Sequence, residues 1–170
     1  MSKTELKKYL RELTKEQLED QVQTLYDKFS PVKTYYDFVF HPNERKLAMD
    51  ARSKIAQEYF PVSSRRPKLR RSTAQQIIKH FLTLEVDPYL IADIMLFAIE
   101  IAQTYTAEKP IKQEAFYKGM QVAFSQAVHF VNSSGIGSEF KSRIDQIYQT
   151  VNQQKWPNAY QFEQPYFMLH

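Results

Sequence analysis

The sequence contains no cysteine and only three glycines among its 170 residues. The absence of cysteine excludes a disulfide scaffold, a cysteine nucleophile and a thiolate metal site. No run of alternating apolar and polar residues is bounded by hairpin turns, so nothing indicates a β-sheet. The segment Gly135–Ser138 lacks the third glycine, the preceding strand and the lysine of a phosphate-binding loop. We therefore interpret it as a turn between helices.

The sequence also lacks a signal-peptide segment and an uninterrupted apolar span. Its first residues, Met1–Glu5, include no apolar core of the signal type. The most hydrophobic stretch, Tyr89–Ala102, is interrupted by Asp93 and Glu100. It therefore predicts a buried helix and not a membrane-spanning one. We expect a cytoplasmic protein with no membrane partner.

Helical periodicity and capping signals extend along the whole chain. The capping-box spacing, Ser or Thr followed three residues later by Glu or Gln, occurs at Ser2, Thr14 and Ser72. The sequence predicts an all-α, single-domain protein over residues 1–170. About eight helices, built from αα-hairpins, would form a bundle or short superhelix. They are predicted near 3–11, 15–29, 31–40, 43–59, 73–84, 88–106, 110–133 and 139–153.

Apolar residues at helical spacing predict the core. In the second, fourth and eighth helices one face each is apolar: Leu18, Val22, Leu25 and Phe29; Leu47, Ala51, Ile55 and Tyr59; Phe140, Ile144, Ile147 and Val151. The cluster within Tyr35–Phe40 is expected to be core as well. An aromatic C-terminal tail, residues 155–170, either covers one end of the core or forms an interface.

The helix predicted from Pro88 is apolar nearly all round, which is typical of a central helix. Asp93 and Glu100 lie about 20° apart on its helical wheel and about 10 Å apart along its axis. That distance is too long for the two carboxylates to share a proton directly. We therefore interpret them as internal salt-bridge partners and not as an acid/base pair.

One basic segment makes the protein positively charged. Five of the seven residues from Arg65 to Arg71 are cations, in the loop 60–72, and no acidic residue occurs between Glu58 and Glu85. The five are Arg65, Arg66, Lys68, Arg70 and Arg71. Without them 18 cations would face 19 acids, whereas the whole chain has a net charge of +4. The segment therefore indicates an anionic counterpart.

Three interpretations of the basic segment fit the sequence. Arg70 or Arg71 pairs internally with Asp93, Glu100 or another carboxylate, because an unpaired buried charge is very unfavourable. A phosphate-bearing ligand or nucleic acid binds the segment. Alternatively, it is a solvated basic loop. Arg65, Arg66 and Lys68 are the better candidates for binding an external partner. Arg70 and Arg71 fit a structural role, in which they stabilise the fold, as well as they fit a binding role.

Metal and enzyme chemistry have little support in the sequence. The four histidines are scattered, and no His-Glu-x-x-His or Glu-x-x-His motif occurs. We therefore expect no metal and no cofactor. An enzyme acting on a phosphorylated small molecule is the third hypothesis, since no nucleophile can be named.

Several motifs resemble those of a bacterial family of unknown function, found in Bacteroidetes. They include the opening residues 1–10, Glu58–Val62, Pro67–Ser72, Asp87–Asp93 and Gln113–Tyr117. The resemblance covers nearly the whole chain and implies a single-domain helical bacterial protein, but no activity. We therefore predict a non-enzymatic helical interaction module that binds a protein or anionic partner, in part through Arg65–Arg71. The alternative is an RNA- or DNA-binding protein that uses the same loop.

Overall fold

The computed structural model describes residues 2–63 and 66–169, so Arg65 of the basic segment lies outside the described residues. Within these ranges the chain forms helices and no strand, which confirms the predicted all-α fold. The α-helices are α1 (Lys3–Arg11), α2 (Lys15–Lys28), α3 (Ser30–Phe40), α4 (Glu44–Tyr59), α5 (Arg71–Thr83), α6 (Pro88–Glu108), α7 (Glu114–Ser133), α8 (Gly137–Gln153) and α9 (Glu163–Phe167). A short 3-10 helix, Ala159–Phe162, precedes α9.

The chain divides into two compact units, Met1–Asn43 and Glu44–His170. We call them the N-terminal unit and the C-terminal unit and describe each by itself. The prediction of one domain over residues 1–170 stays a prediction.

Helix α6 is the central element of the C-terminal unit. It packs against α4, α5, α7 and α8. Asp87 caps its first turn by accepting a hydrogen bond from the Tyr89 N–H (2.7 Å), and Pro88 occupies a position that needs no donor. By length and composition α6 could cross a membrane. Because helices of its own unit surround it, we interpret it as the core helix of that unit.

Two arginines neutralise the acidic stripe of α6. Arg143 of α8 donates from Nη1 to Asp93 (2.7 Å) and from Nη2 to Glu100 (2.7 Å), so one guanidinium group spans two helical turns. Arg52 of α4 donates from Nε to Asp93 (3.0 Å) and lies over the Phe97 ring. Burial alone would raise the pKa of Asp93, but the hydrogen bonds from Arg52 and Arg143 outweigh it and lower that pKa. The stripe thus joins three helices.

The aromatic C-terminal tail folds back onto α7 and α8. Trp156 and Phe162 are buried and their rings contact each other, whereas Tyr160 and Phe167 stay exposed. The Trp156 indole N–H donates to Gln154 Oε1 (2.9 Å), which satisfies its one polar group. The tail therefore covers one end of the core, as one of the two hypotheses for it predicted.

The N-terminal unit has no comparable core. The capping boxes predicted at Ser2 and Thr14 are present and begin α1 and α2. Helix α3 folds back along α2, and the Tyr26 hydroxyl donates to Asp37 (2.8 Å). However, none of the residues 2–43 is buried. The core predicted around Tyr35–Phe40 is wrong, since Phe40 is 70% exposed.

The predicted apolar face of α2 is also largely exposed, at Val22, Leu25 and Phe29. The corresponding faces of α4 and α8, by contrast, are buried at Ile55 and Ile144. The difference has a physical reason. Among the described residues of the N-terminal unit, α2 packs on α3 but α1 packs extensively on neither, so no side chain is enclosed, whereas α4 and α8 both pack on the central α6.

We expect Arg143→Ala to destabilise the C-terminal unit by on the order of 3 kcal/mol, because two partly buried carboxylates lose their shared counter-ion. Arg143→Lys should recover only part of this loss, since an ammonium group cannot span Asp93 and Glu100 as a guanidinium does. Urea unfolding followed by circular dichroism measures the effect. Lys141→Ala, at an exposed position on the same helix, is the control. Equal stability of Arg143→Ala and the control would contradict the structural role.

Candidate anion-binding site

The basic segment is organised around Glu58, near the end of α4. Glu58 lies beside Ile55 and Tyr59 on the helix face that enters the core, and only 7% of its surface is exposed. The Arg70 guanidinium donates to it from Nη2 (2.7 Å) and from Nε (3.0 Å). The Thr73 hydroxyl donates to the same carboxylate (2.8 Å). One buried acid therefore holds both the end of the loop and the first turn of α5.

The backbone of Glu58 holds the loop as well. Its carbonyl oxygen accepts hydrogen bonds from the N–H groups of Lys68 and Leu69, each at 3.0 Å. Leu69 has φ 54°, a left-handed conformation that is uncommon for a residue other than glycine. The paired contacts to Glu58 maintain this conformation against its steric cost. The loop residues 68–70 are thus fixed in place by α4.

The charge on Glu58 affects the acidity of its neighbours. Hydrogen bonds from Arg70, the largest cause, lower the pKa of Glu58 although burial opposes them. Burial raises the pKa of the Tyr59 hydroxyl, and the nearby Glu58 charge raises it further. Glu58 is therefore ionised at neutral pH and supplies negative charge at the N-terminus of α5, where it is favourable.

Helix α5 begins differently from the prediction. The sequence predicts Ser72 as the N-cap, but α5 begins at Arg71, and its N-cap, Arg70, makes no side-chain capping bond. The reason is tertiary. Glu58 binds Arg70 and Thr73 and so positions the first turn without help from Ser72.

Arg71 is directed towards a different part of the C-terminal unit. Its Nη1 donates to the carbonyl oxygen of Gly119 in α7 (3.1 Å). A Cβ atom at position 119 would lie 2.8 Å from that Nη1, so the absence of a side chain at Gly119 makes room for the guanidinium. Arg71 therefore serves as a contact between α5 and α7, and no carboxylate among the described residues pairs with it.

Arg66 and Lys68, the other described cations of the segment, line an open cleft of about 540 Å³ beside Glu58. Lys54 of α4 and Arg70 border it as well, and Glu58 is the one acid among its described lining residues. We call this the basic cleft. Arg70 already pairs with Glu58, whereas Lys54, Arg66 and Lys68 form no salt bridge within the described part of the chain. The cleft thus has an excess of positive charge.

The structure separates the residues that the sequence groups together. Arg66, Lys68 and Arg70 share the basic cleft, and Arg71 lies apart on Gly119. Arg70 pairs with Glu58, and not with Asp93 or Glu100, the two carboxylates that the sequence analysis names. Asp93 and Glu100 pair with Arg52 and Arg143.

The sequence interpretation did not include Lys54, Arg52 or Arg143 among the site and stripe residues. Lys54 stands one helical turn before Glu58 on α4, so a helical wheel could have placed it near the loop. Arg143 lies beside the apolar residues of α8, which marks it as a partly buried cation in need of an acid.

Nothing in the cleft indicates a metal ion. Across residues 2–63 and 66–169 no three His, Asp or Glu side chains are grouped so as to hold one. Among the described residues, the cleft is lined by cationic and amide side chains, Ser63 and Thr73, and by no histidine that could act as a base for a hydroxyl nucleophile. These side chains suit an anion better than a metal ion.

We expect Glu58→Gln to lower the free energy of unfolding by about 1–2 kcal/mol at neutral pH, because Arg70 loses an ionised partner although it stays half-exposed. The folded-state pKa of Glu58 is lowered from 4.5, so its stabilisation is present above that pH and is lost as the pH falls below it. The difference between wild type and variant should therefore shrink on acidification from about pH 6 to pH 3. Urea unfolding at each pH measures it.

Glu108→Gln is the matched control, since it removes an exposed carboxylate that forms no salt bridge among the described residues. A pH-independent difference between Glu58→Gln and wild type would show that the charge on Glu58 does not stabilise the loop.

Comparison with known proteins gives a family and no activity. No curated protein and no solved structure matches the chain. A family model described as a family of unknown function, DUF6155, matches residues 1–168. Because the match covers nearly every residue, including both units and the basic cleft, the chain belongs to the DUF6155 family.

Proposed function

We propose that the protein is a non-enzymatic helical interaction module whose basic cleft binds an anionic segment of a protein partner. One observation carries the proposal. Lys54, Arg66 and Lys68 surround an open cleft in which Glu58, the one acid among its described residues, is already neutralised by Arg70. Such a cleft attracts a carboxylate or phosphate group and raises its association rate.

Contacts with α4 already fix the conformation of the loop before any partner binds. Glu58 holds Lys68 through its backbone and Arg70 through its side chain. Ordering a mobile side chain or loop costs affinity, so cations on a loop that is already fixed bind an anion at a lower entropic cost. This favours a specific contact over a solvated basic loop.

A protein partner fits the cleft better than nucleic acid. Proteins bind single-stranded nucleic acids in part through aromatic side chains on which bases stack, and none of the described residues that line the cleft is aromatic. The alternative is nonetheless a binding site for RNA or DNA, in which the same cations contact phosphates. Three such contacts to a single strand would give a log–log salt dependence of binding with a slope of roughly −2.

The cellular location of the protein and the kind of organism it comes from are also part of the proposed function. We infer a cytoplasmic protein of bacterial origin, as the sequence predicts. An enzymatic role for the cleft has no support in a particular residue.

The proposal predicts that Lys54→Gln, Arg66→Gln and Lys68→Gln, combined in one chain, weaken binding of a labelled oligoglutamate peptide by about tenfold or more. Three exposed ion pairs at about 0.2–1 kcal/mol each account for that factor. Fluorescence anisotropy at low salt measures the affinity. Circular dichroism should show an unchanged fold, since none of the three residues forms a salt bridge among the described residues.

The control variant combines Arg45→Gln, Lys79→Gln and Lys141→Gln, which removes the same number of lysines and arginines from exposed positions outside the cleft. It should bind the peptide as wild type does, apart from a small loss due to net charge. Equal weakening in both variants would refute a localised site. Tighter binding of single-stranded oligouridylate than of oligoglutamate, lost in the cleft variant alone, would favour the nucleic-acid alternative.

A further inference from the structure

The N-terminal unit exposes an unusual amount of apolar surface. Nine of its large hydrophobic side chains are exposed: Leu6, Tyr9, Leu10, Val22, Leu25, Phe29, Tyr35, Val39 and Phe40. None of the residues 2–43 is buried. Chains of about 40 residues rarely fold stably without disulfides, metals or a partner subunit. This sequence has no cysteine, so a disulfide is excluded.

Two complementary surfaces lie within this unit. The first is an apolar groove of about 490 Å³ between α2 and α3, whose floor includes Leu18, Val22 and Phe40. The second is one face of α1, where Leu6 and Leu10 lie one helical turn apart and Leu13 follows just after the end of the helix. Helix α1 packs extensively on no other described helix, although Gln21 of α2 donates a hydrogen bond to the Tyr9 hydroxyl. Leu6 and Leu10 of its apolar face stay exposed among the described residues.

The charges on the two surfaces are also complementary. Helix α1 has four cations and one acid, a net charge of +3, whereas α2 has two cations and four acids, a net charge of −2. Lys3 and Lys7 flank the apolar face of α1, and Glu19 borders the groove. The unit as a whole has seven cations and seven acids, so two copies do not repel each other through net charge.

We propose that the occupant of the groove is α1 of a second copy of this chain, in a two-fold symmetric dimer. Each copy supplies one α1 and one groove, so the same contact forms twice, as two-fold symmetry requires. The dimer doubles the number of residues around the shared core to more than the roughly 70–80 at which a helical core supports itself. This association is independent of the basic cleft, which belongs to the C-terminal unit.

A charge-swap experiment on the full chain tests the proposal. One variant combines Lys3→Glu with Lys7→Glu and makes α1 acidic. A second variant combines Glu19→Lys with Gln23→Lys and makes the groove rim basic. Each variant alone brings like charges together at both contacts, so each should be monomeric in sedimentation equilibrium at concentrations where wild type is a dimer. An equimolar mixture of the two should dimerise again, because both of its α1–groove contacts join opposite charges.

The mixture separates association from folding within one chain. If α1 instead occupied the groove of its own chain, each variant would be destabilised and mixing would restore nothing, which would overturn the proposal. Wild type that stays monomeric at all concentrations up to the millimolar range would overturn it as well. Circular dichroism of each variant alone should show at most the loss of the N-terminal helices, and the mixture should recover the helix content of wild type.

The apolar contact has its own variant pair. Leu6→Ala with Leu10→Ala should weaken dimerisation by about tenfold or more, since it removes apolar area that the groove would bury. Leu82→Ala with Val122→Ala removes two exposed apolar side chains from the C-terminal unit and should leave the dimer unchanged. Equal dimer affinity in these two double variants would exclude α1 from the interface.

Discussion

The arrangement of the basic segment depends on one buried carboxylate, that of Glu58. It accepts hydrogen bonds from Arg70 and Thr73, and its main-chain carbonyl accepts two more from the loop. A cationic segment next to a helix N-terminus repels itself and the helix dipole. Glu58 removes this conflict by placing a negative charge under the first turn of α5. Lys54, Arg66 and Lys68 of the basic cleft form no salt bridge within the described part of the chain, and the proposed function assigns them to an external anion.

Pairing of a carboxylate with an arginine also explains how α6, an apolar helix, can contain two acidic residues. Asp93 and Glu100 would be very unfavourable if buried alone, and a guanidinium group is the cation whose shape fits two carboxylates at once. Arg143 is long and planar enough to reach both across two turns. One ion-pair system therefore joins α6 to α4 and α8, and the other joins α4 to the loop that leads into α5.

The sequence was sufficient to predict the helices, two of the capping boxes and the apolar faces of α4 and α8, because these follow from local spacing. It could not predict the pairing of Arg70 with Glu58, which depends on where the loop returns to α4. It also led to a wrong core at Tyr35–Phe40, since periodicity shows that a helix has an apolar face but not what covers it. Neither Lys54 nor Glu58 was assigned to the cleft from the sequence, because both belong to α4 and not to the basic segment Arg65–Arg71.

The division of charge between the units supports two different kinds of association. All of the net +4 charge lies in residues 44–170, and residues 1–43 are neutral. Charge attracts partners over distances up to about a Debye length, so the C-terminal unit favours an anion whatever its detailed shape. A unit with no net charge gains nothing from such long-range steering, so its association depends on short-range apolar packing and on local charge pairs between α1 and the groove. Salt should therefore weaken the first association more than the second, because salt screens the charges but leaves the apolar packing of the second in place.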